Sequence, residues 1–101
     1  MDYNLIITNI IAFSGECESC MMEAIELARC GKFEEAENAR NKGNEALIKA
    51  HEAHTKLLFA EANGERVEIN LLLIHASNHM SNAEMLVNVA ECFINSYKTR
   101  G

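Results

Sequence analysis

Proline is absent from this 101-residue chain, and its absence fits a chain that is helical almost throughout. No apolar run approaches the roughly 20 residues that a membrane-spanning helix needs. Met1–Phe13 has neither the basic start nor the small-residue cleavage site of a secretion signal. Acidic residues outnumber basic ones, and the formal net charge is −6. Nucleic-acid binding, by contrast, is favoured by a basic surface. We therefore expect a cytoplasmic protein that binds no nucleic acid.

The composition is that of a folded protein, since 49% of residues are hydrophobic and 24% are charged. A chain of this length is too short for two independent cores, which predicts one domain over residues 1–101. Nothing indicates secretion, so we interpret the four cysteines as reduced thiols.

Apolar residues recur at helical spacing almost from end to end, while alternation at period two is nowhere sustained. The pattern predicts helices over Tyr3–Arg29, Phe33–Ala62 and Val67–Thr99. Gly31 ends the first helix, and Asn63-Gly64 forms the clearest turn. Because both connections are short, neighbouring helices should be antiparallel. The predicted fold class is all-α, an up-down-up three-helix bundle.

The third predicted helix carries two apolar seams on different sides of its surface. One seam holds positions 72, 76, 79, 83, 86, 90, 93 and 97, and the other holds positions 71, 74, 78, 85, 89 and 92. A three-helix monomer can cover only one such seam well, so the second predicts an oligomer. Asn78 lies in the second seam, where a buried asparagine would fix the register and the oligomeric state.

Fold-back geometry suggests that the histidines gather at one level of the bundle. If the second and third helices fold back around residues 64–65, His75 should lie level with His54, and Asn78 level with His51. The first turn brings residues 13–15 to the same level, where Gly15 would permit close approach. The sequence therefore predicts a slab containing all four histidines of the chain: His51, His54, His75 and His79.

Within this slab, His75 and His79 are the strongest candidates for chemistry, because they lie one helical turn apart on the same face. Neutral imidazole is a nucleophile near pH 7 and can attack phosphorus. A second histidine, or the Ser77 hydroxyl, could then donate to the phosphoryl oxygens. The alternative for this pair is that both are core histidines satisfied by local hydrogen bonds.

Metal binding is a second alternative for the histidines. Four imidazoles in the slab could hold an ion, whereas a zinc site from Cys17, Cys20, His51 and His54 is disfavoured. The alignment offsets Cys17 from His51 by about five residues, or roughly 7 Å along the helix axis. Cys30 and Cys92 are interpreted as small hydrophobic residues.

Several segments together resemble one family. Ile74–Met80, with the sequence IHASNHM, resembles the active-site segment of the lactose/cellobiose-type enzyme IIA of the bacterial sugar phosphotransferase system. Four further segments resemble conserved motifs of the same family across nearly the whole chain: Ile11–Gly15, Ala28–Ala36, Ala50–Leu58 and Glu61–Glu65.

The resemblance implies a phosphocarrier built as a homotrimer of three-helix subunits. Such a carrier accepts a phosphoryl group from the phosphocarrier protein HPr and passes it to a cysteine of enzyme IIB during coupled sugar uptake and phosphorylation. It meets the membrane only indirectly, through the permease, and need not touch the sugar. By the same resemblance, His75 occupies the phosphorylated position, His79 is the supporting histidine, and Ser77 stands where the family usually has glutamine.

This sequence departs from the family pattern at the position that binds metal in relatives. Asn78 replaces an aspartate whose copies meet an ion on the trimer axis, and His54 replaces a glutamine. A neutral amide suits a hard cation such as Mg²⁺ less well than a carboxylate does. We therefore expect no cofactor and no metal. The alternative function is a non-catalytic bundle that binds a metal or a partner protein through its histidine cluster.

Overall fold

The computed structural model describes residues 1–100 as three helices: α1 over Tyr3–Arg29, α2 over Phe33–Ala62 and α3 over Leu71–Arg100. These residues contain no strand, which confirms the all-α, up-down-up prediction. The first two helices have the predicted bounds. The third begins at Leu71 instead of Val67 and ends one residue later than predicted.

Local chemistry explains the ends of α1 and α2. The Asp2 carboxylate accepts a hydrogen bond from the Leu5 amide at 3.1 Å and caps the start of α1. Gly31 and Gly64 follow the two helices with φ of +79° and +89°, a conformation that glycine adopts without strain. The amide that follows each glycine donates back into the last turn: Lys32 N to Leu27 O at 2.9 Å, and Glu65 N to Ala60 O at 3.0 Å. This pattern is a Schellman motif at both helix ends.

The connection from α2 to α3 is longer than predicted. Residues 65–70 are not helical, and the Asn70 side chain caps α3 by accepting from the Leu73 amide at 2.9 Å. As a result, His51 faces Glu84, with 3.2 Å between Nε2 and Oε1, where the prediction had placed Asn78. The two helices are therefore displaced by about six residues, or roughly 9 Å, from the predicted alignment.

Helix α1 packs against both other helices, whereas α2 and α3 contact each other much less. The core along these contacts is built mainly of small side chains. Among the described residues, eleven of the nineteen buried apolar positions are alanine, and the largest fully enclosed side chains are Ile7, Ile10, Met21 and Ile94.

The closest approach of α1 and α2 occurs at Gly43. A Cβ atom there would lie 2.8 Å from Met21 Cε and 3.0 Å from Cys20 Cβ. At Gly15, by contrast, a Cβ would meet no described atom within 4 Å. The prediction that Gly15 permits a close approach was wrong, and Gly43 has that role.

The two seams of α3 differ in their exposure. Ala76, Ala83 and Ala90 of the first seam are buried, although the seam opens to solvent at its ends. The second seam is largely exposed in the isolated chain, with Leu71 at 81% and Met85 at 64%. Asn78 in this seam is also exposed, so it is not a core residue of the subunit.

Among residues 1–100, α1 is the one helix whose length and composition would also suit a bilayer span. The sequence had predicted no membrane-spanning helix, because no uninterrupted apolar run is long enough. Its apolar residues include Ile7, Ile10 and Met21, which are buried in the bundle, and the core helix of a folded domain has the same composition.

Candidate functional site

His75 and His79 lie near the start of α3 with their rings in contact. The ring centroids are 4.6 Å apart and the planes are inclined by 88°, an edge-to-face arrangement. His75 is exposed and His79 is half-buried. The helical spacing thus brings the two candidate residues together, with the first accessible to another molecule and the second held behind it.

Glu18 of α1 completes this cluster. Its Oε1 atom lies 2.7 Å from His79 Nδ1, and the side chains of Glu18 and His79 are 28% and 32% exposed. Sequence reasoning missed Glu18, because 61 residues separate it from His79 and no local motif indicates the pairing. Predicting this pairing would have required the correct longitudinal register between α1 and α3.

The surroundings of His75 are apolar. Leu71, Leu72 and His75 line a shallow groove at the start of α3. Ser77 is half-buried and Asn78 is exposed on neighbouring sides of the same helical segment. An accessible imidazole beside an apolar surface suits a nucleophile that must meet a partner protein and keep water away during transfer.

The other two histidines do not join this cluster. His51 is exposed and pairs with Glu84, and His54 is half-buried elsewhere on α2. Within residues 1–100, no group of three or more histidine, cysteine, aspartate or glutamate side chains is arranged to hold a metal ion. The predicted slab was wrong, because the six-residue connection shifts α3 relative to α2, and the four-histidine metal site is not assembled within the subunit.

The cysteines fall into two classes. Cys17 and Cys20 are buried, and burial is the main cause that raises both thiol pKa values. The pKa of Cys17 reaches about 11, with smaller contributions from Cys20 and Glu18. Among residues 1–100 these two thiols belong to no group of three or more side chains arranged to hold a metal ion. Cys30 and Cys92, which were interpreted as small hydrophobic residues, are exposed.

The position that binds the axial metal in the resembled family carries no carboxylate in this chain. That position holds Asn78, an exposed neutral amide on the second seam of α3. Mg²⁺ is usually bound through one or two carboxylates, and Asn78 supplies none. The residues of this chain do not fit that ion.

Comparison with known proteins gives consistent matches. The family model described as PTS system, lactose/cellobiose-specific IIA subunit, matches residues 5–98. The chain is 40% identical over 93 residues to the lichenan-specific phosphotransferase enzyme IIA component of Bacillus subtilis, spanning 92% of this chain and 84% of that one. It is 39% identical over 82 residues to the PTS galactose-specific EIIA component of Lactococcus lactis, spanning 81% and 71%.

The fold has a close counterpart among solved structures. The crystal structure of the PTS cellobiose-specific enzyme IIA from Bacillus anthracis matches with a TM-score of 0.94 and 40% sequence identity. The match covers 98% of this chain and 91% of that chain.

Proposed function

The chain belongs to the lactose/cellobiose-specific IIA family of the sugar phosphotransferase system, and on that premise we propose that His75 carries its phosphoryl group. The resemblance found in the sequence motifs is confirmed by the family match over residues 5–98. Membership makes the protein a phosphocarrier in sugar uptake and a component of a phosphotransferase. The alternative of a non-catalytic bundle that binds a metal or a partner protein through its histidine cluster is not favoured, because the matched family and relatives are phosphotransferase components.

The observation that carries this proposal is the contact between His75 and His79 at the exposed start of α3. A lone pair on a ring nitrogen of His75 attacks phosphorus, and a nitrogen–phosphorus bond forms while the bond to the donor breaks. The electron pair of the broken bond stays with the donor. In the second transfer the acceptor thiolate attacks phosphorus, and His75 recovers its lone pair. His79 and Ser77 stabilise the phosphoryl oxygens by hydrogen bonding.

We assign the donor as HPr and the acceptor as enzyme IIB, in the cytoplasm, with the membrane reached only through the permease. The exposure of His75, beside Leu72, supports access of a partner to the nucleophile. We propose that the membrane component, and not this carrier, selects the sugar. The named relatives include galactose-, cellobiose- and lichenan-specific proteins, so sequence similarity of this carrier does not select one substrate.

The proposed active form is a homotrimer joined along the second seam of α3. Leu71, Ile74 and Met85 are 81%, 49% and 64% exposed in the single chain, which is a large apolar area to leave in water. Because Asn78 lies in the same seam, three amides would converge on the axis, and we propose assembly without a metal ion.

Phosphorylation of the purified protein by phosphoenolpyruvate, enzyme I and HPr tests the assignment of His75. The His75→Gln variant should fold normally, because the side chain is exposed, and should take up no phosphate. His51→Gln is the matched control and should be labelled as the wild type is. Full labelling of His75→Gln would refute the assignment.

A further inference from the structure

We propose that Glu18 is a positioning residue that fixes which nitrogen of His79 faces the phosphoryl group. The inference rests on the proposed role of His75, and concerns the residue behind it. Its basis is the 2.7 Å contact between Glu18 Oε1 and His79 Nδ1, which joins α1 to α3.

The donor and acceptor chemistry of this contact leaves one arrangement. An ionised carboxylate can only accept hydrogen bonds, so the proton of the contact belongs to His79 Nδ1. Nε2 is then the one ring nitrogen that remains for a phosphoryl group on His75. A histidine whose second nitrogen is held in this way has a defined tautomer and a defined ring orientation.

The position of the pair makes the restraint effective. Both side chains are about 30% exposed, so the contact is less screened by water than a surface pair would be. The His79 ring is also in edge-to-face contact with His75, with 4.6 Å between centroids. The contact with Glu18 and the ring packing against His75 both restrict rotation of the His79 side chain. Phosphoryl oxygens accept hydrogen bonds, and doubly protonated His79 can donate to them from Nε2 while Nδ1 stays on Glu18.

The chain contains a second carboxylate–histidine pair that serves as an internal comparison. Glu84 Oε1 lies 3.2 Å from His51 Nε2, the opposite ring nitrogen. This pair is exposed, at 46% and 49%, and lies away from His75. If a carboxylate selects the tautomer of its partner, the neutral forms of His79 and His51 should carry their protons on different nitrogens.

Nitrogen-15 NMR of the imidazole rings reports the tautomers, and the rate of His75 labelling by phospho-HPr reports function. Glu18→Gln is the test variant, because glutamine has nearly the same shape but its amide can either accept or donate, so it no longer dictates the proton position. Glu84→Gln is the matched control for a carboxylate–histidine pair. Glu16→Gln removes the same charge from an exposed site on α1.

In the wild type we expect neutral His79 to be protonated at Nδ1. In Glu18→Gln the Nδ1–H signature should be lost or mixed with the other tautomer, and labelling should slow by about 10- to 100-fold, as when a carboxylate that orients a functional histidine is removed. Glu84→Gln should alter the signature of His51 alone, and both control variants should be labelled at the wild-type rate.

Two results would overturn the inference: wild-type His79 protonated at Nε2 when neutral, or a Glu18→Gln variant that keeps the Nδ1–H signature, whatever its rate. Neither result depends on whether His75 is the acceptor, because the tautomer is measured without phosphate. Conversely, labelling that persists in His75→Gln would refute the assignment of the acceptor and leave the tautomer measurement standing.

Discussion

Alanine substitution at the two helical glycines separates intrinsic helix propensity from the tightness of the α1–α2 contact. In a helix interior, replacing glycine by alanine stabilises by about 1 kcal/mol. At Gly15 no steric cost opposes this stabilisation, because an added Cβ would meet no atom of residues 1–100 outside its own helical turn within 4 Å. We therefore expect Gly15→Ala to raise the free energy of unfolding by about 0.5–1 kcal/mol.

Gly43→Ala should behave differently, because the same methyl group would be 3.0 Å from Cys20 Cβ and 2.8 Å from Met21 Cε. The end of the methionine can swing aside, but the cysteine Cβ is fixed to the backbone of α1. Overpacking of this kind costs about 1–3 kcal/mol, which offsets or exceeds the propensity gain. The expected result lies between no change and a loss of about 2 kcal/mol.

Urea unfolding followed by circular dichroism measures both variants beside the wild type. With a slope of about 1–3 kcal/mol per molar urea, the two alanine variants should differ in midpoint by about 1 M. Protein concentrations must be matched, because an oligomer has a concentration-dependent stability. A Gly43→Ala midpoint equal to or above that of Gly15→Ala would refute the close packing of α1 on α2.

Three further predictions concern the site, the assembly and the thiols. His79→Ala should slow labelling of His75 about 100-fold without abolishing it, and an unchanged rate would limit His79 to packing. Sedimentation equilibrium should give a trimer that EDTA does not dissociate, whereas Asn78→Asp should assemble only with Mg²⁺ or at low pH, because three carboxylates repel. A wild-type mass near the 11.3 kDa monomer, or dissociation in EDTA, would contradict this. At pH 8 iodoacetamide should modify exposed Cys30 and spare Cys17, whose burial and pKa of about 11 leave it protonated. Peptide mass spectrometry measures the alkylation of each cysteine, and equal rates for Cys30 and Cys17 would contradict the prediction.

The helix bounds that the sequence predicted correctly depend on signals within a few residues. Gly31 and Gly64 adopt positive φ and end α1 and α2 where the pattern indicated. The start of α3 was misplaced, because apolar Val67 and Ile69 continue a helical pattern through a segment that is not helical. Asn70 was the available signal, as an N-cap residue that precedes Leu71.

The candidate site divides in the same way. The proximity of His75 and His79 follows from helical spacing alone and needs no tertiary information. The partnership of Glu18 with His79, and the separation of His51 from both, depend on how far each helix slides along its neighbour. A connection longer by a few residues changes that offset by several ångströms, and no local motif reports it.

The alanine-rich core has a consequence for how this protein responds to dilution. Small side chains remove little hydrocarbon from water when the chain folds, and the free energy of burial scales with that area at about 25 cal/mol per Å². Leu71, Ile74 and Met85 are large apolar residues that lie exposed on the outside of the subunit. In the proposed homotrimer, part of the hydrophobic driving force becomes available only when subunits meet. The proposed homotrimer thus links folding to assembly thermodynamically, and it predicts a thermal stability that rises with protein concentration.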